Sequence, residues 1–275
     1  VALPLMRVAV VGATGQVGGV MRTLLEERAF PVSQIRYFAS ARSVGRTLPW
    51  KGEEIALEDP LTADLTGIDI ALFSAGGSIS KEYAPKFAAA GAVVIDNSSA
   101  FRYEDDIPLV VSEVNPQQIA NRPRGIIANP NCSTMQMLVA LAPIHRAVGI
   151  ERINVATYQS VSGTGQKGID ELHRQHAALA SGQAARAEVY PVQIAFNVIP
   201  HGGDFLDNGY TTEEMKLVWE TRKILGDDRI QVNATVVRVP VVYGHSEAVH
   251  IETREKISAA RARELLAQAP GVEVV

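Results

Sequence analysis

The chain has 275 residues, of which 47% are hydrophobic and 20% charged, and its formal net charge is -4. This composition is typical of a globular protein, and the length allows one large or two ordinary domains. The acidic balance argues against a nucleic-acid partner, which needs a basic face. A single cysteine excludes an internal disulfide and favours a reducing, cytoplasmic setting, and no apolar run reaches the roughly 18 to 20 residues of a membrane helix.

The first predicted element is a buried parallel strand over residues 7–11, which runs directly into the glycine-rich sequence GATGQVG at residues 12–18. A helix is predicted from Gln16 to Arg28. A strand, a glycine turn and a helix in this order bind a dinucleotide, because the helix N-terminus receives the pyrophosphate. The alternative is a turn that merely joins strand and helix. The predicted cofactor contacts are Gly12, Thr14, Gly15, Gln16 and Val17, and the predicted apolar helix face is Val17, Val20, Met21, Leu24 and Leu25.

The residues after the second predicted strand, 35–39, bear on the choice between NAD and NADP. An NAD-specific fold usually places an acidic residue here to bond the ribose 2′-OH. This chain has Ser40, Arg42 and Ser43 instead, and a guanidinium beside two hydroxyls suits a 2′-phosphate. We therefore predict NADP, with a solvated loop arginine as the alternative.

Four further strands precede the middle of the chain, with a helix over residues 80–90 between the first two. The predicted strands are 69–73, 92–96, 109–111 and 125–128. Small or polar residues follow two of them, including Ser74 and Gly76 after one and Asn97–Ser99 after the other. Ligands bind outside the carboxyl ends of such strands, so these clusters are expected to line one crevice. Arg102 follows the second cluster, where it binds an anionic substrate or pairs with a neighbouring carboxylate.

Cys132 lies at a strand-to-helix junction within NPNCST, residues 129–134, and a helix is predicted from about Ser133 to Ala147. The N–H groups of the first helical turn favour thiolate over thiol, which indicates a nucleophile. The alternative is a small buried thiol, the commoner fate of a free cysteine.

Two long strands are predicted in the second half, at residues 151–161 and 230–239. Alternation places Gln159 on the apolar face of one strand, where it needs a hydrogen-bond partner. Arg238 ends the apolar face of the other, where it needs an anion, either a structural or a substrate carboxylate. His245, in a turn before a strand over 247–252, is an acid/base candidate or a surface residue.

The remaining predicted elements are helices over residues 168–180 and 258–267 and one that opens on a capping box of Thr211 and Glu214. His173 and His176 are spaced to share a metal, but no further ligands accompany them, so we predict no metal site. Glu213 and Lys216, three residues apart, form at least a surface ion pair. Ser162 and Gly163 follow the first long strand in a turn that approaches the cofactor or simply joins strand to helix.

The predicted fold class is α/β, because short strands alternate with helices in the first part of the chain. Near Cys132 the pattern changes to long strands, and we place the domain boundary there. A Rossmann-type parallel-sheet nucleotide-binding domain over residues 1–131 is followed by an α+β domain over residues 132–275.

Six motifs together resemble bacterial aspartate-semialdehyde dehydrogenase: GATGQVG, NSSAFR, NPNCST, ATYQSVSG, NVIPH…DNGYTTEEMK and RVP…GHS. The resemblance implies NADPH-dependent reduction of L-aspartyl-4-phosphate, a small molecule, to aspartate semialdehyde and phosphate. It also implies a homodimer built on the sheet of the second domain, so that residues 132–275 are an α+β catalytic and dimerisation domain. It implies that Cys132 forms a thioacyl-enzyme, that His245 is the acid/base and that Gln159 orients the substrate. It also implies a substrate-binding set in which Arg238 holds the α-carboxylate, Glu213 the α-amino group, and Arg102, Asn131 and Lys216 the phosphate.

Two rival interpretations remain. N-acetyl-γ-glutamyl-phosphate reductase shares the fold and the cysteine chemistry, but its substrate has an acylated, uncharged amine that would leave Glu213 unmatched. A catalytically silent NADP-binding fragment is the second rival, since the resemblance implies a further C-terminal tail that packs on the nucleotide domain and contacts the nicotinamide.

Overall fold

The computed structural model describes residues 4–275; residues 1–3, with which the first predicted domain begins, lie outside the described residues. Packing divides the chain into two compact units. The first contains the residues up to Val110 together with Pro116–Pro130, and the second contains Val111–Asn115 and Asn131–Val275. The assignment of residues 1–131 to NADP binding and of residues 132–275 to catalysis stays a prediction.

The first unit is built on a seven-stranded sheet. Its strands are β1 (Met6–Val11), β2 (Val32–Phe38), β3 (Thr47–Trp50), β4 (Glu53–Glu58), β5 (Ile70–Phe73), β6 (Val93–Asp96) and β7 (Ile126–Ala128), and its helices are α1 (Gln16–Glu27) and α2 (Gly77–Ala89). The strand order is β3-β4-β2-β1-β5-β6-β7. Without β3, which pairs antiparallel with β4, six parallel strands follow the doubly wound order 3-2-1-4-5-6. The predicted Rossmann-type sheet is confirmed.

Helix α1 covers the sheet with a narrower face than its sequence predicts. Met21 and Leu25 pack against the core that surrounds Val8 and Val10. Val17, Val20 and Leu24, by contrast, are exposed. The predicted five-residue apolar face is therefore wrong in part, because only the stripe of the helix that lies on the sheet is buried.

Two local predictions fail in the first unit. The β3–β4 hairpin was not predicted, since its two-residue turn is Lys51-Gly52, both at positive φ, rather than the common Asn-Gly. Residues 109–111 form no regular strand but a single bridge from Leu109 to Ala128. The N–H of Val111 instead donates to the side chain of Asn115, which withdraws it from a strand ladder.

The second unit contains a three-stranded sheet in the order β10-β8-β9. Its strands are β8 (Ile150–Gln159), β9 (Gln231–Arg238) and β10 (His245–Thr253), and its helices are α3 (Cys132–Val148), α4 (Gln166–Ala180), α5 (Thr212–Leu225) and α6 (Ala259–Ala267). Strand β8 pairs parallel with β9 and antiparallel with β10. The predicted alternation is confirmed, because Thr157, Gln159, Val236 and Arg238 are all buried.

Helix α5 begins at the predicted capping box. The Thr211 side chain accepts from the N–H of Glu214, and the Glu214 carboxylate accepts from the N–H of Thr211. Among residues 4–275, no helix combines the length and the apolar character needed to cross a membrane.

Candidate active site and cofactor pocket

Three predicted site residues lie side by side across the sheet of the second unit. Gln159 ends β8 and is in register with Arg238, the last residue of β9. On its other side Gln159 is in register with His245, the first residue of β10. His245 therefore begins a strand rather than lying in the predicted turn. The sheet presents a guanidinium, an amide and an imidazole in one row.

Cys132, the first residue of α3, meets this row. Its Sγ lies 3.2 Å from Nε2 of His245. The preceding residue, Asn131, is the helix N-cap, and its side-chain oxygen accepts from the N–H groups of Ser133 and Thr134. Cys132 is exposed as a residue, although the protein surrounds its sulfur closely enough to desolvate a thiolate.

The pKa of the Cys132 thiol is raised above its ordinary value. The surrounding protein desolvates the thiolate, which is the largest cause, and the carboxylate of Glu213 adds to it. The backbone N–H of Ser133 and the charge of Arg238 act in the opposite direction. The start of the helix thus lowers the pKa as the sequence predicts, but desolvation outweighs it.

Replacing Glu213 with glutamine is expected to make Cys132 react several-fold faster with iodoacetamide at pH 7. The carboxylate raises the pKa of the thiol, whereas an amide carries no charge, so the variant should contain more thiolate at this pH. The dependence of the alkylation rate on pH gives the thiol pKa directly. The control is Glu214→Gln in the same helical turn, where the side chain caps α5. If the midpoint of the pH dependence is no lower in Glu213→Gln than in wild type, Glu213 does not raise the thiol pKa.

Gln159 and Arg238 are both held in place by groups of the site. The Gln159 amide donates to the hydroxyl of Ser133 at 2.9 Å, which supplies the partner its burial requires. Nη1 of Arg238 donates to the carbonyl oxygen of Ser160 at 3.0 Å. A Cβ at Gly163 would lie 3.1 Å from that same Nη1, so a larger residue here would crowd the guanidinium.

Helix α5 supplies the acidic side of the site. Nδ2 of Asn131 donates to Glu213 at 2.9 Å, and Lys216 is hydrogen-bonded to the same carboxylate. The predicted pair of Glu213 and Lys216 is thus present, next to the residue that precedes the thiol. The buried carboxylate of Glu220 accepts from the backbone N–H of Asn131 at 2.6 Å.

Sequence reasoning did not identify Ser133, Ser160 or Glu220 as residues of the site. Ser133 and Ser160 each follow a residue that was singled out, and that adjacency was the one available signal. Glu220 lies seven residues after Glu213, so the two share a helix face. Its role depends on tertiary packing.

The cofactor pocket predicted from the glycine turn lies in the first unit, in a cavity of about 490 Å³. Its lining includes five of the predicted cofactor residues: Gly12, Thr14, Gly15, Ser40 and Ser74. A Cβ at Gly12 would come within 2.5 Å of the Ser74 carbonyl oxygen. Only glycine therefore lets the turn after β1 come this close to the residue that follows β5. The lining residues that the sequence did not indicate include Asp59, Leu61 and Tyr83.

The other predicted cofactor residues lie near this cavity or in the second unit. Gln16 and Val17 begin α1, and Gly76 is the N-cap of α2. Arg42 and Ser43 form a short 3-10 turn with Ala41, which lines the cavity, and Arg42 is exposed. Ser162 and Gly163 belong to the second unit, in the turn beside Arg238.

Arg102 is buried in the first unit and held by backbone carbonyls. Its Nε lies 2.9 Å from the Asn129 oxygen and 3.1 Å from that of Ser98. Its Nη2 donates to the Asn97 oxygen at 3.3 Å. These contacts orient the guanidinium within the loops that follow β6 and β7. Within residues 4–275, no group of three His, Cys, Asp or Glu side chains is arranged to hold a metal.

Comparison with known proteins gives consistent matches over nearly the whole chain. Residues 7–122 match the family model "Semialdehyde dehydrogenase, NAD binding domain", and residues 141–275 match "Semialdehyde dehydrogenase, dimerisation domain". The chain is 60% identical over 273 residues to aspartate-semialdehyde dehydrogenase of Legionella pneumophila, covering 98% of this chain and 78% of that protein. It is 54% identical over 272 residues to the Aquifex aeolicus enzyme of the same name, covering 98% and 80%.

Solved structures agree with these matches. The crystal structure of aspartate semialdehyde dehydrogenase II from Vibrio cholerae superposes with a TM-score of 0.96 at 56% identity, covering 98% of this chain and 81% of that one. A second structure of that Vibrio cholerae protein, described as complexed with ASA, matches equally well.

Proposed function

The chain belongs to the aspartate-semialdehyde dehydrogenase family, and from this premise we propose that it reduces L-aspartyl-4-phosphate to L-aspartate 4-semialdehyde with NADPH. The observation that carries the proposal is the thiol of Cys132, solvent-accessible at the first residue of α3 and 3.2 Å from the imidazole of His245. A thiolate is a strong enough nucleophile to displace phosphate from an acyl phosphate and form a thioester. Phosphate leaves with the electron pair of the broken C–O bond.

The charges around the thiol suit an amino-acid substrate. Arg238 can bind an α-carboxylate through two parallel hydrogen bonds, and Glu213 can pair with an α-ammonium. Gln159, whose amide already reaches Ser133, can orient the acyl group. Lys216 and Asn131 lie beside Glu213. These two residues and Arg102 are the proposed phosphate-binding set.

Glu213 favours this substrate over that of an N-acetyl-γ-glutamyl-phosphate reductase. An acylated amine carries no charge, so it would leave the Glu213 carboxylate without its substrate partner. The free amino acid instead supplies a cation close to the nucleophile, where it would offset the charge that raises the thiol pKa.

The residues of the first unit fit a nicotinamide dinucleotide. The cavity is lined by the glycine turn and by residues that follow β1, β2 and β5, the arrangement that receives a pyrophosphate at a helix N-terminus. When bound, the cofactor supplies the hydride that converts the thioester to the aldehyde. Ser162 and Gly163 are proposed cofactor contacts from the second unit.

The proposed function is tested by phosphate-dependent reduction of NADP with aspartate semialdehyde, which is the reverse reaction, with N-acetylglutamate semialdehyde assayed in parallel. Turnover of the first aldehyde only is the expected result. Preference for the acetylated aldehyde would favour the reductase, and turnover of neither would favour a protein that binds the nucleotide without catalysis.

Replacing Arg42 with alanine is expected to weaken NADPH binding by roughly tenfold or more while changing NADH binding little. A guanidinium that is exposed beside the pocket can pair with a 2′-phosphate, which NADH lacks, and hydrogen bonds to charged groups are worth about 1.5–3 kcal/mol. Titration with both nucleotides measures this. The matched control is Arg46→Ala, an exposed arginine four residues along. Equal losses for both nucleotides would remove Arg42 from the proposed site.

We also propose a homodimer assembled through the second unit. Residues 141–275 match a dimerisation domain, and one face of its sheet exposes the side chain of Tyr158 on the central strand β8. The mass in solution by light scattering tests this, and a monomer at micromolar concentration would contradict it.

A further inference from the structure

Helix α3 packs along strand β10 in the second unit, and side chains of the two elements meet at more than one point. The first point is the contact of Cys132 with His245. The second is a hydrogen bond between the side chains of Gln136 and Glu247. Gln136 follows Cys132 by four residues on α3, and Glu247 follows His245 by two residues on β10.

The two contacts have the spacing of consecutive rungs of a ladder. Four residues advance a helix by about 6 Å, and two residues advance a strand by about 6.8 Å. Residues four apart share a helix face, and residues two apart share a strand face. Burial along β10 agrees, since His245 and Glu247 are half-buried while Ser246 between them is exposed. We call the pair of Gln136 and Glu247 the second rung, because it joins the same two elements as the thiol and the imidazole.

The carboxyl of Glu247 lies in an environment that disfavours a charge. Its Oε1 is buried and has no hydrogen-bond partner among residues 4–275. The residue directly opposite on β8 is Thr157, whose buried hydroxyl also lacks a partner within that range and so does not bind the carboxyl. A buried carboxylate is costly unless it is paired and fully hydrogen-bonded. A neutral carboxylic acid therefore suits this place better than a carboxylate.

We propose that Glu247 is a positioning residue that, as a neutral carboxylic acid, holds β10 to α3 through Gln136 and so keeps His245 against the thiol of Cys132. It acts through the two elements that carry the reacting groups and not on the substrate. The catalytic part of this inference rests on the proposed function.

Two titratable groups share the faces that meet at Glu247. His245 precedes it on β10, and Cys132 lies one helical turn before Gln136 on α3, while Thr157 opposite on β8 is uncharged. Burial, the larger cause, raises the pKa of Glu247 to about 7, whereas the hydrogen bond with Gln136 lowers it. Neither cause is a neighbouring charge. The acid is therefore neutral below about pH 7, and its ionisation above that pH adds a negative charge one rung from the thiol.

Thermal unfolding at two pH values tests the charge state of Glu247. Because the pKa is raised in the folded chain, the wild type loses stability as the pH rises above the usual carboxyl pKa, and the loss is complete above about pH 7. Glutamine stays neutral at every pH and has nearly the same size. Relative to wild type, we expect the melting temperature of Glu247→Gln to be about 3 °C or more higher at pH 8.5 than at pH 5.

The matched control for the unfolding experiment is Glu252→Gln on the same strand. Its carboxylate is exposed and pairs with Arg152 at the surface. The difference between this variant and wild type should be small and the same at both pH values. For Glu247→Gln, an equal difference at both pH values would overturn the neutral acid.

Turnover of aspartate semialdehyde at pH 6.5, where the acid is neutral, tests the positioning role. Glu247→Ala and Gln136→Ala should each lower kcat at least about tenfold and change KM less than about threefold, because a displacement of about 1 Å between reacting groups is costly. Gln136 is exposed, so its replacement by alanine should leave the fold unchanged. The double variant should be no slower than the slower single variant, and Glu247→Gln should stay within about threefold of wild type.

Three kinetic results would each overturn the second rung as a positioning device. They are a wild-type kcat in either alanine variant, losses that multiply in the double variant, and a Glu247→Gln variant as slow as Glu247→Ala. If the wild-type chain turns over neither semialdehyde, the proposed function fails, and the alkylation rate of Cys132 by iodoacetamide at pH 6.5 replaces kcat. That rate should match wild type in Glu247→Gln and change severalfold in Glu247→Ala, whereas one rate in all three proteins would overturn the inference.

Discussion

Replacing Cys132 with serine is expected to lower turnover by at least about a thousand-fold, because a serine hydroxyl is not ionised near neutral pH and is a much weaker nucleophile than a thiolate. The side chain is otherwise similar in size, and the N-cap of α3 is formed by Asn131, so the helix should persist. The measurement is steady-state turnover of aspartate semialdehyde, with mass spectrometry to detect the thioester.

NADPH binding serves as the control for Cys132→Ser. Cys132 is not among the residues that line the cofactor cavity, so the dissociation constant should change less than about twofold. Substantial turnover in this variant would end the thioacyl hypothesis, whereas loss of NADPH binding would indicate misfolding and call for Cys132→Ala in its place.

Replacing Arg238 with lysine is expected to reduce kcat/KM by roughly a hundredfold, although the positive charge is retained. The guanidinium is buried, donates to the Ser160 carbonyl and passes within van der Waals reach of Gly163. A lysine ammonium is a point charge and cannot both keep the Ser160 contact and bind a carboxylate through two parallel bonds. Steady-state kinetics against the semialdehyde measures the effect.

The matched control for Arg238→Lys is Arg152→Lys on the neighbouring strand. Arg152 pairs with Glu252 at the surface, and such pairs contribute little, about 0–1 kcal/mol. This variant should stay within about twofold of wild type. Near-normal kinetics for Arg238→Lys would return Arg238 to a structural role.

The fold was largely predictable because its signals are local. Strand β1 has an apolar run and a glycine turn, α5 has a capping box, and β8 has alternating buried and exposed residues. Each of these elements has a pattern of its own. The β3–β4 hairpin was missed because its turn is Lys51-Gly52, both at positive φ, and a lysine at this position is not a usual hairpin signal. The exposure of Val17 and Val20 depends on how α1 packs on the sheet. The helical period of the sequence carries no information about that packing.

The candidate site was predictable only where a residue type is out of place in its local pattern. A lone thiol at a helix start, an amide on an apolar face and a guanidinium at a strand end each stand out in this way. Ser160 does not, because it contacts His245 through its backbone N–H, a group that every residue except proline carries. Glu220 could not be recognised from local sequence either, because its partner Asn131 lies 89 positions earlier in the chain.

The row formed by Arg238, Gln159 and His245 also makes activity a measure of folding accuracy. Side chains alternate between the two faces of a strand, so a slip of one residue in either pairing of β8 would turn a site residue to the opposite face. A misregistered molecule could keep its helices and much of its core and yet be inert. The fraction of chains titrated by a thioester-forming substrate after refolding should therefore count the molecules whose three strands have aligned correctly.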